Sequence, residues 1–199
     1  MRQSEGRRLM RKKTISGVKK WWETQGRGDE KTKREGPEIL DRLKSLLEGE
    51  KIPYRVIPHE EAYTSPEIAQ SIHASGRKVA KVVIVRTDSH YAMAVLPSHK
   101  QLDLYRFAMV VGVDRVTITN ESELAGLFPD CDPGAMPPFG GLYGLSVYVD
   151  ESLARGPVIF FQAGSHRHVI ELRYQDFIAL VRPTVDRFVV EPFRKVSGF

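Results

Sequence analysis

Two apolar runs separated by four residues are the feature that most restricts the fold of this chain. Residues 79–86 and 91–96 are rich in valine and alanine, and the segment 87–90 between them has the composition of a turn. Apolar runs of this length, bounded by turn residues, are typical of two β-strands joined in a hairpin. Apolar side chains occupy both alternating faces of the first run, so the sequence predicts a strand with little access to solvent on either face.

Helical and strand patterns then alternate irregularly along the chain. Pro37 and the apolar spacing after it predict a helix that ends at Gly49, and Thr64 and Glu67 have the spacing of a capping box for a second helix. The other predicted helices cover 102–111, 121–128 and 174–181, and the other predicted strands cover 54–58, 115–119, 145–149, 158–162 and 168–173. This mixed order favours an α+β or mixed α/β fold over a doubly wound parallel sheet.

The positive charge of the chain is concentrated at its N-terminus. The 199 residues carry a net charge of +5, but residues 1–36 hold 12 of the 30 basic residues and only 5 of the 25 acidic ones. We expect residues 1–36 to be a disordered basic tail, either simply solvated or able to bind RNA without sequence specificity. A single folded domain is predicted over residues 37–182, followed by an extended C-terminal tail over 183–199.

Other classes of protein are excluded by composition. No apolar run approaches the roughly 18–20 residues of a membrane span, so no membrane partner is expected. No apolar leader is visible at the N-terminus, and the only cysteine, Cys131, cannot form an intramolecular disulfide. A cytoplasmic location is therefore expected.

Lys81 is the most informative single residue, because it lies in the middle of the first apolar strand. An ammonium group in a poorly solvated position must pair with an anion or lose its proton. A lysine at the edge of a sheet could instead extend its stem to reach solvent. In the functional interpretation, Lys81 is instead directed at a ligand phosphate or at a reacting carbonyl group.

A loop rich in glycine and proline is the second candidate feature. Glycine lets a backbone approach a ligand closely, and proline stiffens a loop so that its N–H groups stay in place, as an oxyanion hole requires. The segment runs from Gly134 to Gly140. A loop of this composition could equally be only a turn.

The histidines and the cysteine give weaker signals. His166 and His168 would face the same side of a strand, but no acidic residue or cysteine at a recognisable spacing completes a metal site, so neither a metal nor another cofactor is predicted. His166 follows Gly164 closely and could hydrogen-bond a substrate or orient a water molecule. A nucleophilic pair of Cys131 with His166 is an open alternative to a purely structural cysteine.

Taken together in order and spacing, several segments resemble the YbaK/EbsC family. That family includes the editing domain inserted in bacterial prolyl-tRNA synthetases and its free-standing relatives, and the resemblance extends from about residue 38 to residue 182. It implies a single domain with a central mixed, partly barrel-like β-sheet flanked by helices. The segments that carry it are 79–85, 94–97, 102–104, 134–140, 149–151 and 163–164.

The resemblance implies an aminoacyl-tRNA deacylase that acts in trans, typically on proline tRNA that carries a wrong small amino acid. Lys81 matches the family's invariant lysine, which would hold the phosphate or ribose of the 3′-terminal adenosine. Gly134 and Pro138 match the family's GxxxP motif, whose backbone N–H groups would polarise the ester carbonyl. The residues implied to shape the same pocket are Thr64, Gly140 and Gly164.

The family's route needs no metal, because a terminal ribose hydroxyl helps to activate the attacking water. The implied partners are mischarged tRNA and, beyond it, prolyl-tRNA synthetase or an elongation factor. Residues 165–169 match no single branch of the family, so the choice among alanine, cysteine, serine and threonine esters stays open. Two alternatives remain: a non-catalytic module that binds aminoacyl-tRNA or a nucleotide, and an RNA-binding protein that acts through its tail.

Overall fold

The computed structural model of the chain describes residues 38–192. The predictions made for the basic segment 1–36, for Pro37 and for residues 193–199 lie outside this part. The α-helices of the described residues are α1 (Glu38–Gly49), α2 (Ser65–Ser71), α3 (Leu104–Val111), α4 (Glu121–Leu127) and α5 (Tyr174–Val181). The strands are β1 (Tyr54–Pro58), β2 (Ala80–Arg86), β3 (Tyr91–Pro97), β4 (Gln101–Leu102), β5 (Thr117–Ile118), β6 (Ser146–Asp150), β7 (Val158–Gln162), β8 (His168–Arg173), β9 (Thr184–Asp186) and β10 (Val189–Val190).

The elements that depend on local signals form where the sequence predicts them. The apolar side chains of α1 are buried, including Ile39, Leu43 and Leu47, which have no exposed surface. Thr64 and Glu67 form a reciprocal capping box at the start of α2. The predicted hairpin is also confirmed, because β2 pairs with β3 in an antiparallel ladder that runs from Ala80 opposite Pro97 to Arg86 opposite Tyr91.

The largest sheet is mixed, as the order of elements indicated. It has five strands in the order β5-β2-β3-β6-β9. The pairs β2–β3 and β2–β5 are antiparallel, whereas β3–β6 and β6–β9 are parallel. This arrangement confirms the mixed α+β fold class.

A second sheet adjoins the first at a single point. Strands β1, β8 and β7 form an antiparallel sheet in the order β1-β8-β7, and Val79 at the start of β2 makes an isolated parallel bridge with Phe160 of β7. The resemblance implied one partly barrel-like sheet. Within residues 38–192 there are instead two larger sheets joined by this bridge and a two-stranded sheet of β4 and β10, with no closed barrel.

Two predicted boundaries differ because distant pairings override the local pattern. The helix predicted over residues 102–111 begins at Leu104, since Leu102 pairs with β10 and Asp103 caps the helix by accepting a hydrogen bond from the Arg106 N–H. The strand predicted over residues 115–119 shortens to β5, since only residues 117–118 pair with the end of β2.

The segment expected to be an extended C-terminal tail packs against the domain as far as it is described. Strand β9 pairs with β6, and β10 pairs with β4. Phe188 between them is fully buried and contacts Phe107 edge to face, with ring centroids 5.0 Å apart. The backbone of residues 184–190 is extended, but it is part of the sheets and of the core.

Candidate active site

The candidate site begins where two loops are hydrogen-bonded to each other. One loop precedes the 3₁₀ helix Gly140–Tyr143, and the other connects β7 to β8. The Asp132 N–H donates to the Gly164 carbonyl at 2.8 Å, and the Gly164 N–H donates to the Ala135 carbonyl at 2.9 Å. These reciprocal bonds bring together Gly134 and Gly164, which the sequence analysis placed in one pocket.

Gly134 lies in the exposed part of the first loop, together with Asp132 and Pro133. Its φ is +86°, in the left-handed region that glycine adopts at little cost, and Gly164 has a φ of +90°. No carbonyl group of the described backbone accepts a hydrogen bond from the N–H of Gly134 or of Met136. Gly134 is exposed whereas Met136 is only 5% exposed, so the Gly134 N–H is the candidate donor of an oxyanion hole on this stiff, proline-containing loop.

His166 supports this loop from the buried side. It is only 8% exposed, and its Nε2 lies 3.0 Å from the Pro133 carbonyl oxygen. Its Nδ1 lies 3.0 Å from the Gln162 side-chain amide nitrogen. Because a carbonyl can only accept and an amide NH₂ can only donate, Nε2 carries the proton and Nδ1 accepts. Both ring nitrogens are thus occupied by the protein, so His166 holds the loop in place in this arrangement.

His166 and His168 do not lie on one strand, so the shared face that a strand would give them does not form. Strand β8 begins at His168, while His166 lies in the preceding loop. The His168 Nδ1 is 2.9 Å from the Ser165 hydroxyl oxygen, and burial, more than the nearby positive charges, lowers the pKa of His168. Within residues 38–192 no group of three or more His, Cys, Asp or Glu side chains is placed to hold a metal ion.

Cys131 belongs to a separate network. Its sulfur lies 3.2 Å from the Tyr143 hydroxyl, which donates a hydrogen bond to Asp130 at 2.9 Å. Burial raises the pKa of the Cys131 thiol to about 12, so the nucleophilic thiolate is disfavoured at neutral pH. With both nitrogens of His166 engaged elsewhere, the structure favours the structural interpretation of Cys131 over a Cys–His pair.

The rest of the glycine- and proline-rich loop is part of the core. Pro138 and Gly140 are buried, and a Cβ atom on Gly140 would lie 2.7 Å from a methyl carbon of Val147 and 2.8 Å from the Leu145 carbonyl oxygen. Phe139 between them packs against Phe161, with ring centroids 5.5 Å apart. Pro138 and Gly140 therefore anchor the loop, whereas its open part is the turn at Gly134.

A third segment, immediately before α2, covers the histidine. The Ala62 N–H donates to the His166 carbonyl at 3.1 Å, and the Tyr63 ring lies against the imidazole with centroids 4.5 Å apart. Tyr63 is nonetheless 66% exposed. Thr64 follows directly, and its hydroxyl caps α2 by accepting from the Glu67 N–H at 3.5 Å.

Tyr63 was not predicted from the sequence. The only local signal for it is an aromatic side chain next to a helix cap, which gives no indication of a long-range neighbour. Its hydroxyl donates to Glu61 at 2.6 Å, and Glu61 also binds Arg167 at 2.8 Å. These contacts lower the pKa of Glu61, with the Tyr63 hydrogen bond as the largest cause and the charge of Arg167 next. Tyr63 is thus a fixed, exposed aromatic surface beside the two loops.

Lys81 lies between two apolar clusters on one face of β2. Val79, two residues before it, packs with Ile68 and Phe160. Val83, two residues after it, packs against the cluster that contains Phe107 and Phe188. Since alternate residues of a strand share a face, Lys81 interrupts an otherwise apolar surface at the boundary between the two clusters.

Among residues 38–192, no charged side chain is paired with the ammonium group of Lys81. It forms no salt bridge or hydrogen bond with another side chain in the described part of the chain, and partial burial lowers the pKa of Lys81. Lys81 is thus partly buried, and it is the second residue of β2 rather than its middle. An anionic ligand would supply the missing partner.

The connection between Lys81 and the two loops runs through β7. The parallel bridge joins Val79 to Phe160, and two residues further along the two strands lie Lys81 and Gln162. Gln162 is the residue that binds His166, which in turn holds the Gly134 loop. The described contacts thus group Gly134, Gly164 and His166 directly and relate Lys81 to them through one strand.

No helix in residues 38–192 combines the length and apolar character that crossing a membrane requires.

Comparison with known proteins adds evidence of a different kind. A family model described as the aminoacyl-tRNA editing domain matches residues 59–180, more than half of the chain. Comparison with curated proteins gives no match. The matched range contains every candidate site residue named above.

Several solved structures have a similar fold. A "putative trans-editing enzyme for prolyl tRNA synthetase" has a TM-score of 0.68 and 21% identity, over 76% of this chain and 96% of its own. A structure described as "hypothetical protein APE2540" has a TM-score of 0.69 and 16% identity, over 75% and 99%. A structure from work on computational grafting of linear epitopes onto scaffold proteins has a TM-score of 0.67 and 23% identity, over 76% and 96%. At these identities the similarity establishes the fold.

Proposed function

The chain belongs to the aminoacyl-tRNA editing domain family, and we propose that it hydrolyses the ester bond of mischarged tRNA in trans. The proposed substrates are proline tRNAs that carry alanine, cysteine, serine or threonine. The folded domain proposed to do this is residues 37–182 together with strands β9 and β10, which pair with it. Beyond mischarged tRNA, the proposed partners are prolyl-tRNA synthetase or an elongation factor.

The observation that carries the proposal is the position of Lys81. A partly buried cation without a charged partner among the described residues destabilises the free protein, and an anionic substrate would relieve this cost. We propose that Lys81 binds the phosphate or ribose of the 3′-terminal adenosine. Pairing at a poorly solvated position is stronger than in water, so one lysine can orient the end of a long RNA.

The exposed turn at Gly134 supports the hydrolytic step. In the proposed reaction, water attacks the ester carbonyl carbon, and the N–H group of the exposed Gly134 stabilises the developing oxyanion. The bond from that carbon to the ribose oxygen then breaks, the ribose oxygen takes up a proton, and the free amino acid leaves. An aminoacyl ester is already activated, so orientation and oxyanion stabilisation can supply much of the rate.

A base for the attacking water is proposed to come from the substrate. The structure supports this because His166, the histidine at the loop, has both ring nitrogens engaged by Pro133 and Gln162. The neighbouring ribose hydroxyl of the terminal adenosine lies on the substrate beside the ester and would assist the water. His166, Gly164 and Thr64 would then shape the pocket, and a small pocket would exclude proline by size.

The test is a deacylation panel of proline tRNA charged with alanine, cysteine, serine, threonine or proline. We expect hydrolysis of at least one of the four wrong esters and none of the prolyl ester. Lys81→Ala should lower kcat/KM by about 10³-fold, because it removes a charge-assisted contact in a desolvated site. Single-turnover rates measure this directly.

Arg86→Ala is the matched control. Arg86 is a cation on the same strand, but it is exposed and paired with Glu123 at 2.9 Å. Its loss should leave kcat/KM unchanged within about a factor of two, as expected for an exposed ion pair. Failure to hydrolyse any ester in the panel would contradict the enzymatic proposal. Tight tRNA binding without turnover would instead support the second candidate, a module that binds aminoacyl-tRNA.

A further inference from the structure

A second concave feature, separate from the Gly134 turn, lies at the start of β2. It is a cleft of about 440 Å³ between the turn before β2, the turn after β3 and the 3₁₀ helix Glu151–Arg155. Four of its lining side chains are cationic: Arg77, Lys78, Lys100 and Arg155. The mechanism proposed above uses none of them.

The backbone of the cleft is held by short-range hydrogen bonds. The Lys78 N–H donates to the Ser75 carbonyl at 2.8 Å, and the Lys100 N–H donates to the Pro97 carbonyl at 2.9 Å. The two turns are joined to each other by the Ser98 hydroxyl, which donates to the Gly76 carbonyl at 3.0 Å. The cations are therefore carried by fixed turns.

The charge of the cleft is largely uncompensated. Glu191 is its only lining carboxylate, and it forms a salt bridge with Lys100. The pKa of Glu191 is lowered mainly by that contact, with smaller contributions from the charges of His99 and Arg77. Arg77, Lys78 and Arg155 have no salt bridge within the described residues.

This concentration of cations contrasts with the rest of the domain. Residues 37–199 contain 18 basic and 20 acidic residues, so their net charge is −2. A cleft with four cations and one carboxylate on a slightly acidic body is a local site for a polyanion.

The position of the cleft relative to Lys81 indicates which polyanion. Lys78 precedes Lys81 by three residues, a distance of about 10 Å along an extended chain. Pro97, which lines the cleft, pairs with Ala80, whose side chain points to the face of β2 opposite that of Lys81. An RNA strand whose 3′ end reaches Lys81 would bring its preceding phosphates to the cleft by passing around the end of β2, where Lys78 lies.

We propose that this cleft binds the backbone phosphates of the nucleotides next to the 3′ end of the tRNA, and that Glu191 competes with them for Lys100. This inference rests on the proposed function, because it extends the same substrate along the surface. Binding through phosphates carries no sequence information, so the cleft contributes affinity and orientation rather than choice of tRNA.

The test uses full-length protein and a non-aminoacylated RNA hairpin with the sequence of the acceptor stem and its single-stranded 3′ end. Fluorescence anisotropy gives Kd over a range of salt concentrations. For the double variant Lys78→Ala/Arg155→Ala we expect Kd to rise about tenfold, and the slope of log K against log salt to become shallower by about 1.4, the value for two lost contacts to single-stranded phosphates. Glu191→Gln should lower Kd several-fold, since it removes the competing carboxylate.

The matched control is Arg55→Ala/Arg86→Ala, which removes the same charge from two exposed side chains outside the cleft. An equal weakening in this control, or an unchanged Kd and slope in the cleft variant, would overturn the inference. The inference would also be overturned if free adenosine monophosphate displaced the labelled hairpin as strongly as unlabelled hairpin does. The cleft would then be a site for a free nucleotide.

The outcomes also separate this inference from the proposed function. Because the hairpin carries no amino acid, its binding does not depend on catalysis. Cleft-dependent binding by a protein that deacylates nothing would contradict only the enzymatic proposal. Normal deacylation with an unchanged KM in the cleft variant would contradict only the proposal that the cleft binds tRNA phosphates.

Discussion

Two regions of the molecule each contain one partly buried cation and one glycine, and they differ in whether those residues have partners. At the inner end of the glycine- and proline-rich loop, Arg42 binds Asp130 at 2.8 Å and the Leu142 carbonyl at 3.0 Å, and Gly140 is in contact with its neighbours. At the outer end of the loop, Gly134 is exposed with a positive φ, and Lys81, which is related to this end through β7, has no charged partner in the described residues.

The difference indicates which residues serve stability and which serve a ligand. A buried polar group that is fully paired holds the fold together, whereas one that is left unpaired costs free energy in the absence of a partner molecule. Substitution at the inner end should therefore change the free energy of unfolding, and substitution at the outer end should change activity. The following predictions test that division.

After the loss expected for Lys81→Ala, the largest effect is expected from Gly134→Ala on catalysis. Alanine in the left-handed region costs about 1–2 kcal/mol, which the turn can avoid only by moving its N–H groups. Loss of oxyanion-hole geometry should lower kcat by about 10²-fold with little change in KM. Single-turnover deacylation measures both parameters.

Gly112→Ala is the control for this strain. Gly112 ends α3 with a φ of +81°, and a Cβ atom there would contact nothing within 4 Å. It should lose similar stability but keep full activity. An equal loss of kcat in both variants would show that strain alone, not the position of Gly134, affects catalysis.

The next effect is the stability loss expected from Gly140→Ala. The new methyl group would lie 2.8 Å from a backbone carbonyl oxygen, so the chain itself must shift. Overpacking of this kind costs about 2 kcal/mol in the free energy of unfolding. Urea denaturation measures it, and activity per folded molecule should fall by less than for Gly134→Ala. An unchanged free energy of unfolding would show that the close packing around Gly140 does not contribute to stability.

The smallest effect is a gain in stability from Lys81→Met. Removing a partly buried charge without a partner should raise the free energy of unfolding at neutral pH by about 1 kcal/mol. Activity should be lost in the same variant, because residues that serve function often reduce stability. Matched urea titrations of the two proteins would detect it. A less stable variant would show that Lys81 is satisfied in the free protein.

The stability difference between Lys81→Met and the unsubstituted protein should also depend on pH. The pKa of Lys81 is lowered in the folded state, so the penalty of its charge is fully present below the folded pKa. As the pH rises through that pKa toward the unfolded value, the folded lysine loses its proton first and the native protein becomes relatively more stable. The advantage of Lys81→Met should therefore shrink between neutral and alkaline pH. A constant or growing advantage would contradict this.

Much of the fold could be predicted because it depends on neighbours in the sequence. The helix at residues 38–49, the capping box of Thr64 and Glu67, and the hairpin of β2 and β3 all follow from spacing over a few residues. The C-terminal strands could not be predicted in this way. Their pairing with β4 and β6 joins segments far apart in the chain, and their short runs have no periodicity of their own.

The candidate site shows the same division. Lys81 and Gly134 were identified from the sequence, because a lysine in an apolar strand and a glycine in a proline-rich loop are unusual locally. Tyr63, the occupied nitrogens of His166 and the basic cleft were not, since each depends on contacts between distant segments. Gly140 was placed in the pocket, whereas the structure places it in the core.

The amino-acid sequence by itself determined the type and order of the elements, because backbone hydrogen bonds, caps and apolar periodicity act over a few residues. It also determined that a charge had to be accommodated at Lys81. Only the tertiary structure decided which groups satisfy one another. Arg42 meets a carboxylate and Lys81 meets none in the described residues, and that difference depends on how the two sheets and their loops pack.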